Sequence, residues 1–226
     1  MGWASWIRGG SEIEPSLYAA DFTCLGRQIG ALLDAGCRIF HFDVGDGHFV
    51  PPVTIGPIVL RSIAPMIHEA GGILDCHLMV TDPAHHFAEI AASGGDSVTF
   101  HVEASDDPRV VADAARANGL GVGVAFNPGT ELARAAAFAS EAGAEVVLCM
   151  SIEPGYSGQP FMESAYGRIA ELATLVEVPI QVDGGVAEGN ARAVRDAGAT
   201  LLVAGNAVFG DPDPAGAYRR LAVAVA

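Results

Sequence analysis

The sequence predicts an α/β protein folded as a single (β/α)8 TIM barrel. Three observations carry this. Apolar strand-like runs alternate strictly with amphipathic stretches of helical length, and there are eight of each. The 226 residues suit one such domain with a full core. Polar side chains and glycine-rich turns gather where the predicted strands end, the mouth at which barrels of this kind carry their chemistry.

The predicted strands are Ile13 to Leu17, Arg38 to Val44, Ile73 to Met79, Ser97 to Val102, Gly121 to Phe126, Val146 to Ser151, Ile180 to Val182 and Leu201 to Ala204. Each is followed by a helix: Phe22 to Ala35, Gly56 to His68, Pro83 to Ser93, Pro108 to Asn118, Glu131 to Ala142, Ala165 to Val176, Glu188 to Ala197 and Pro214 to Ala224. Ala35-Gly36, Asn118-Gly119, Ala142-Gly143 and Ala197-Gly198 read as helix stops, because glycine supplies the left-handed cap. The barrel is expected over 12–226, and residues 1–11 read as an N-terminal extension whose Trp3 and Trp6 dock on a surface.

Composition narrows the function. The formal charge is −15, which disfavours nucleic acid and anionic membrane surfaces as partners. No run of eighteen apolar residues marks a membrane span, and Met1 to Arg8 has no signal-peptide pattern. Trp6 stands where a myristoylation motif after Gly2 wants Ser or Thr, so a cytoplasmic protein is expected. Cys24, Cys37, Cys76 and Cys149 form no C-x-x-C pair and read as reduced, buried thiols. All 12 basic residues are Arg. The absence of Lys excludes Schiff-base chemistry, so a phosphate must be held by backbone N–H groups, helix N-termini, Arg or neutral side chains.

His41 and Asp43 are next but one on a strand and share a face. His77 ends the next strand and Asp183 the seventh, so two imidazoles and two carboxylates converge on one mouth. That mixed set suits one divalent Zn, Fe, Mn or Co ion better than Ca or Mg. Ser16 ends the first strand, and Gly155-Tyr156-Ser157-Gly158, Gly184-Gly185 and Gly205-Asn206 form turns after strands six to eight, fit for a phosphate. His101 and Asn127 end strands four and five and are further candidates for the site. Asp46 is expected to brace the second loop through backbone hydrogen bonds, and His48 to order that loop. His85 and His86 read as solvated helix residues.

At these residues the chain resembles the ribulose-phosphate 3-epimerase family, from about Glu14 to Gly210. The matching stretches are Pro15-Ser16-Leu17, Ala20-Asp21-Phe22, the specific run His41-Phe42-Asp43-Val44-Gly45-Asp46-Gly47-His48-Phe49-Val50-Pro51, and Asp75-Cys76-His77-Leu78-Met79. Met150-Ser151-Ile152-Glu153-Pro154-Gly155, Val182-Asp183-Gly184-Gly185-Val186 and Ala204-Gly205-Asn206-Ala207-Val208-Phe209 complete them. The resemblance implies a barrel of the ribulose-phosphate-binding type and a 1,1-proton transfer at C3 of a ketose phosphate, D-ribulose 5-phosphate to D-xylulose 5-phosphate. It implies one metal on His41, Asp43, His77 and Asp183, with Asp43 and Asp183 as acid and base on opposite substrate faces. Ser16, His77, Met79 and Met150 would meet the substrate, and Gly155, Tyr156, Ser157, Gly158, Gly184, Gly185, Gly205 and Asn206 its phosphate end. A homo-oligomer, dimer or larger, is implied in the same way.

Three residues depart from the family pattern. Gly45 replaces a usual Met and is expected to open space near the substrate or admit water. Glu153 replaces a usual Asn, and Ser157 a usual Gly. These leave open a hexulose 6-phosphate or tetrulose 4-phosphate as substrate, and a non-catalytic sugar-phosphate-binding barrel as a competing class. Another phosphate-binding lyase barrel is disfavoured by the missing Lys.

Overall fold

The computed structural model describes residues 6, 7 and 10–226. Eight parallel strands alternate with helices in a nearly closed barrel. The strands are β1 (Glu12–Pro15), β2 (Ile39–Gly45), β3 (Ile73–Met79), β4 (Ser97–His101), β5 (Gly121–Phe126), β6 (Val146–Met150), β7 (Ile180–Asp183) and β8 (Leu201–Ala204). The helices are α1 (Leu25–Asp34), α2 (Pro57–Glu69), α3 (Phe87–Ala92), α4 (Pro108–Ala117), α5 (Leu132–Ala142), α6 (Ser164–Leu175), α7 (Ala191–Asp196), α8 (Asn206–Phe209) and α9 (Pro214–Val225). Neighbouring strands pair from β2 round to β8, and β8 pairs with β1. The seam between β1 and β2 is held by a single parallel bridge, Ser16 to His41.

Strand alternation divides the residues between two environments. Phe40, Phe42, Leu74, Cys76, Val98, Phe100, Val122, Val124 and Val182 face outward and make one apolar layer with the helices. The alternate residues fill the barrel. Its floor is Ile39, Val146 and Leu201, with Trp6 and Ile7 packed against them. Trp6 thus docks as expected, and Trp3 lies outside the described residues. The four glycine stops all have positive φ, from 58° to 122°.

Several element ends differ from expectation, each for a local reason. Leu17 leaves β1 for a short 3-10 turn, Leu17–Ala19, once Ser16 has bridged to β2. Val102 likewise turns out of β4 into Val102–Ala104. The third helix splits into a 3-10 turn, Pro83–His86, and α3. The expected start of the seventh helix is a turn in which Asn190 Oδ1 accepts from the Ala187 amide. The turn after β8 continues as an unexpected short helix, α8, whose first residue is Asn206. Cys37, Cys76 and Cys149 are buried free thiols, whereas Cys24 is only half-buried. No helix among the described residues is long and apolar enough to cross a membrane.

Candidate metal and active site

The C-terminal ends of the strands bring His41, Asp43, His77 and Asp183 together, with one ligand atom from each lying within 4.8 Å of all the others. Asp43 is central. Its Oδ1 lies 3.2 Å from His41 Nε2 and 3.1 Å from His77 Nδ1. Its Oδ2 accepts a hydrogen bond from Ser16 Oγ at 2.6 Å. Asp183 Oδ2 stands 3.9 Å from His41 Nε2 and 3.7 Å from His77 Nδ1. Both imidazoles are fully buried, while Asp43 and Asp183 reach the cavity above them.

The two carboxyls titrate apart. Burial and then the charge of Asp43 push Asp183 up to about 7. Burial also works to raise Asp43, but the charge and hydrogen bond of His41, with those of His77, hold it far below the usual carboxylate range. Burial opposes charge on His41 too, yet Asp43, Asp75 and Glu14 keep it protonated well above the ordinary range. Neither His41 nitrogen has a well-formed hydrogen bond, although both are buried against carboxylates. Two buried imidazoles and two carboxylates aimed at one point are a donor set that a divalent metal completes.

A second polar layer lies beneath. His41 Nδ1 faces Asp75 Oδ2 at 3.3 Å and Glu14 Oε2 at 3.7 Å. Gln181 Nε2 donates to Glu14 Oε2 at 2.6 Å and to Asp75 Oδ2 at 2.8 Å. Ser97 and Thr99 donate to Asp75 Oδ1. Burial pushes Glu14 up to about 7. Sequence reading passed over this layer, yet period two contained it. Glu14, Asp75 and Gln181 each stand next but one before Ser16, His77 and Asp183, on the same inward faces.

Above the cluster a cavity of about 200 Å³ opens between the loops. Ser16, Asp43, Met79, Met150 and Asp183 line its inner end, and Gly155, Tyr156, Ser157, Gly158, Gly184, Gly185, Gly205 and Asn206 its outer end. His77 sits behind the aspartates and is not part of the wall. Among the described residues no basic side chain lines this cavity. The outer end is a cradle of backbone. A Cβ on Gly184 would collide with the Ile152 side chain, and one on Gly185 with the Phe161 backbone. Their φ angles, 118° and 65°, lie in the region that favours glycine.

The departures at positions 45 and 153 are absorbed. Gly45 opens no space: a Cβ there would meet Val50 Cγ2 at 2.9 Å, Pro52 O at 3.0 Å and Thr54 Cγ2 at 3.1 Å. The β2 loop has folded into the volume a larger side chain would occupy. Thr54 Oγ1 fixes it by accepting from the Gly45 amide at 2.7 Å and donating to the Asp43 carbonyl at 2.7 Å. Glu153 is exposed and lines an adjoining outer groove with Phe49, Pro51 and Asn127. Ser157 does face the cavity, close to Gly205. Asp46 braces the loop as expected, accepting from the amides of His48, Phe49 and Thr81. His85 is exposed, whereas His86 is half-buried.

Comparison with known proteins agrees with this geometry. The model of the ribulose-phosphate 3 epimerase family matches residues 12–209. A chloroplastic ribulose-5-phosphate-3-epimerase of Arabidopsis thaliana is 39% identical over 214 residues, covering 92% of this chain and 74% of that protein. The ribulose-phosphate 3-epimerase of Escherichia coli K12 is 36% identical over 206 residues, covering 89% of this chain and 90% of that one. Among solved structures, a 3-hexulose-6-phosphate synthase from Salmonella typhimurium superposes with a TM-score of 0.73 at 15% identity, over 95% of this chain and 98% of that one, a likeness of fold alone.

Proposed function

Since the chain belongs to the ribulose-phosphate 3-epimerase family, we propose that it inverts C3 of D-ribulose 5-phosphate to give D-xylulose 5-phosphate. The observation that carries this is the pair Asp43 and Asp183, two carboxyls that come together at the inner end of one cavity and are shifted in opposite directions by their surroundings. Epimerisation needs a base on one face of the carbon and an acid on the other, and carboxyls titrating apart supply both near neutral pH.

In this reading the ionised Asp43 takes the C3 proton while the protonated Asp183 delivers one to the opposite face. The reverse reaction exchanges their roles. Ser16 holds Asp43 through its 2.6 Å hydrogen bond and so sets the direction from which the carboxylate approaches. Met79 and Met150, both nearly fully buried, wall the reacting carbon with apolar surface and exclude water. The metal held by His41, Asp43, His77 and Asp183, suited to Zn, Fe, Mn or Co, would supply positive charge for the negative charge developing on the substrate oxygens.

The phosphate lies in the glycine cradle, held by backbone amides of the β6 and β7 loops and of the turn opening α8, with Ser157 and Asn206 beside it. This answers the lack of Lys. The closed space at Gly45 and the outward Glu153 leave a cavity consistent with the pentulose phosphate.

The test is incubation of metal-loaded protein with D-ribulose 5-phosphate in deuterated water. Deuterium at C3 with formation of xylulose 5-phosphate is expected. Binding without exchange would instead place the chain among sugar-phosphate-binding barrels, and exchange only on a hexulose or tetrulose phosphate would move the substrate.

A further inference from the structure

His77 turns Nδ1 to the aspartates and Nε2 to another imidazole, His101 Nε2, at 2.8 Å. A contact that short between two ring nitrogens needs one proton between them. The far side of His101 decides which ring supplies it. His101 Nδ1 lies 3.2 Å from Glu103 Oε2. Glu103 Oε1 meanwhile accepts from the Asn127 amide at 3.0 Å and from the Thr130 hydroxyl. A carboxylate so engaged only accepts, so His101 Nδ1 carries the proton toward it. His101 is fully buried, with the Phe49 ring packed 4.8 Å away, and burial favours the neutral ring. Its Nε2 is then a bare acceptor, and the proton between the rings belongs to His77 Nε2.

We propose that Glu103 and His101 are positioning residues that fix the His77 tautomer, so that its Nδ1 lone pair faces the metal site. The relay runs Glu103, His101, His77, and the donor order at its outer end sets the donor order at its inner end. The inference rests on the reading of His77 as a metal ligand.

Glu103→Gln is a sharp probe. The Asn127 amide can donate only to the carbonyl oxygen of the new side chain, which turns its NH2 group toward His101 Nδ1. His101 then protonates on Nε2, His77 on Nδ1, and the lone pair is lost to the metal. Zinc affinity, measured by chelator competition, should fall about ten- to a hundredfold, the range for lost outer partners of metal ligands. In zinc-loaded wild-type protein, 15N NMR of the histidine rings should find the His101 proton on Nδ1. His101→Phe, which removes the acceptor and keeps a ring against Phe49, should also weaken zinc binding. Zinc affinity of Glu103→Gln within twofold of wild type, or a wild-type His101 protonated on Nε2, overturns the relay and leaves the metal reading standing. A wild-type protein that binds no zinc overturns both.

Discussion

At the scale of single residues, the site works by giving like groups unlike surroundings. Asp43 and Asp183 are the same side chain, yet His41 and Ser16 beside the one pull its titration down, while burial and its neighbour's charge push the other's up. Asp43→Asn and Asp183→Asn should each lower kcat by about 10² to 10⁴, the usual worth of a general acid or base, with the circular dichroism spectrum unchanged. Retention of most activity in either variant would remove the two-carboxylate mechanism. Glu14 is the residue for which composition gave no warning. A strand-borne carboxyl with no role in a recognised motif reads as solvent-facing, and only the closed barrel puts it at 0% exposure against His41.

At the scale of elements, the strands were the most legible part and the loops the least. Period-two alternation with helical stretches between is a physical signature of a sheet buried on both faces, and it located all eight strands to within a few residues. The convergence of His41, Asp43, His77 and Asp183 was legible because they lie on or at the ends of those strands, where spacing fixes the face. The consequence of Gly45 was not legible: how far a loop folds over depends on Val50, Pro52 and Thr54 packing back on the strand they follow. Helix α8 escaped for a related reason, since its four residues are too short a window for helical periodicity. The loops also carry their own test. Gly185→Ala sets a Cβ on the Phe161 backbone at a φ of 65°, strain of about 1–3 kcal/mol that shifts the cradle. KM for the sugar phosphate should rise roughly ten- to a hundredfold, at 1.4 kcal/mol per tenfold, with kcat changed much less. An unchanged KM would mean that the phosphate lies elsewhere.

At the scale of the whole molecule, the buried titratable groups give stability a pH dependence with opposing parts. Asp183 and Glu14 hold protons up to about 7 when folded, against ordinary values of 3.8 and 4.5, so in metal-free protein they favour the native state as pH falls. His101 acts the other way. Unfolded it takes a proton near 6.5, folded only near 4, so its contribution is lost as pH falls through that window. The difference corresponds to roughly 3 kcal/mol at 1.36 kcal/mol per unit. Urea unfolding of metal-free wild-type and His101→Phe protein at pH 7 and pH 4.5 separates the parts. The variant should lose less stability on acidification than the wild type, and equal losses would show that His101 does not titrate as described. The seam of the barrel has a consequence in time. β1 is made first, yet its full-length partner is β8, the last strand to be made, and its other edge touches β2 only through the bridge from Ser16 to His41. Ser16 therefore reaches its working position over Asp43 only after the final strand has docked. Until β8 has docked, the chain carries the candidate ligands but not their alignment, so the assembly of the candidate site is coupled to the closure of the barrel.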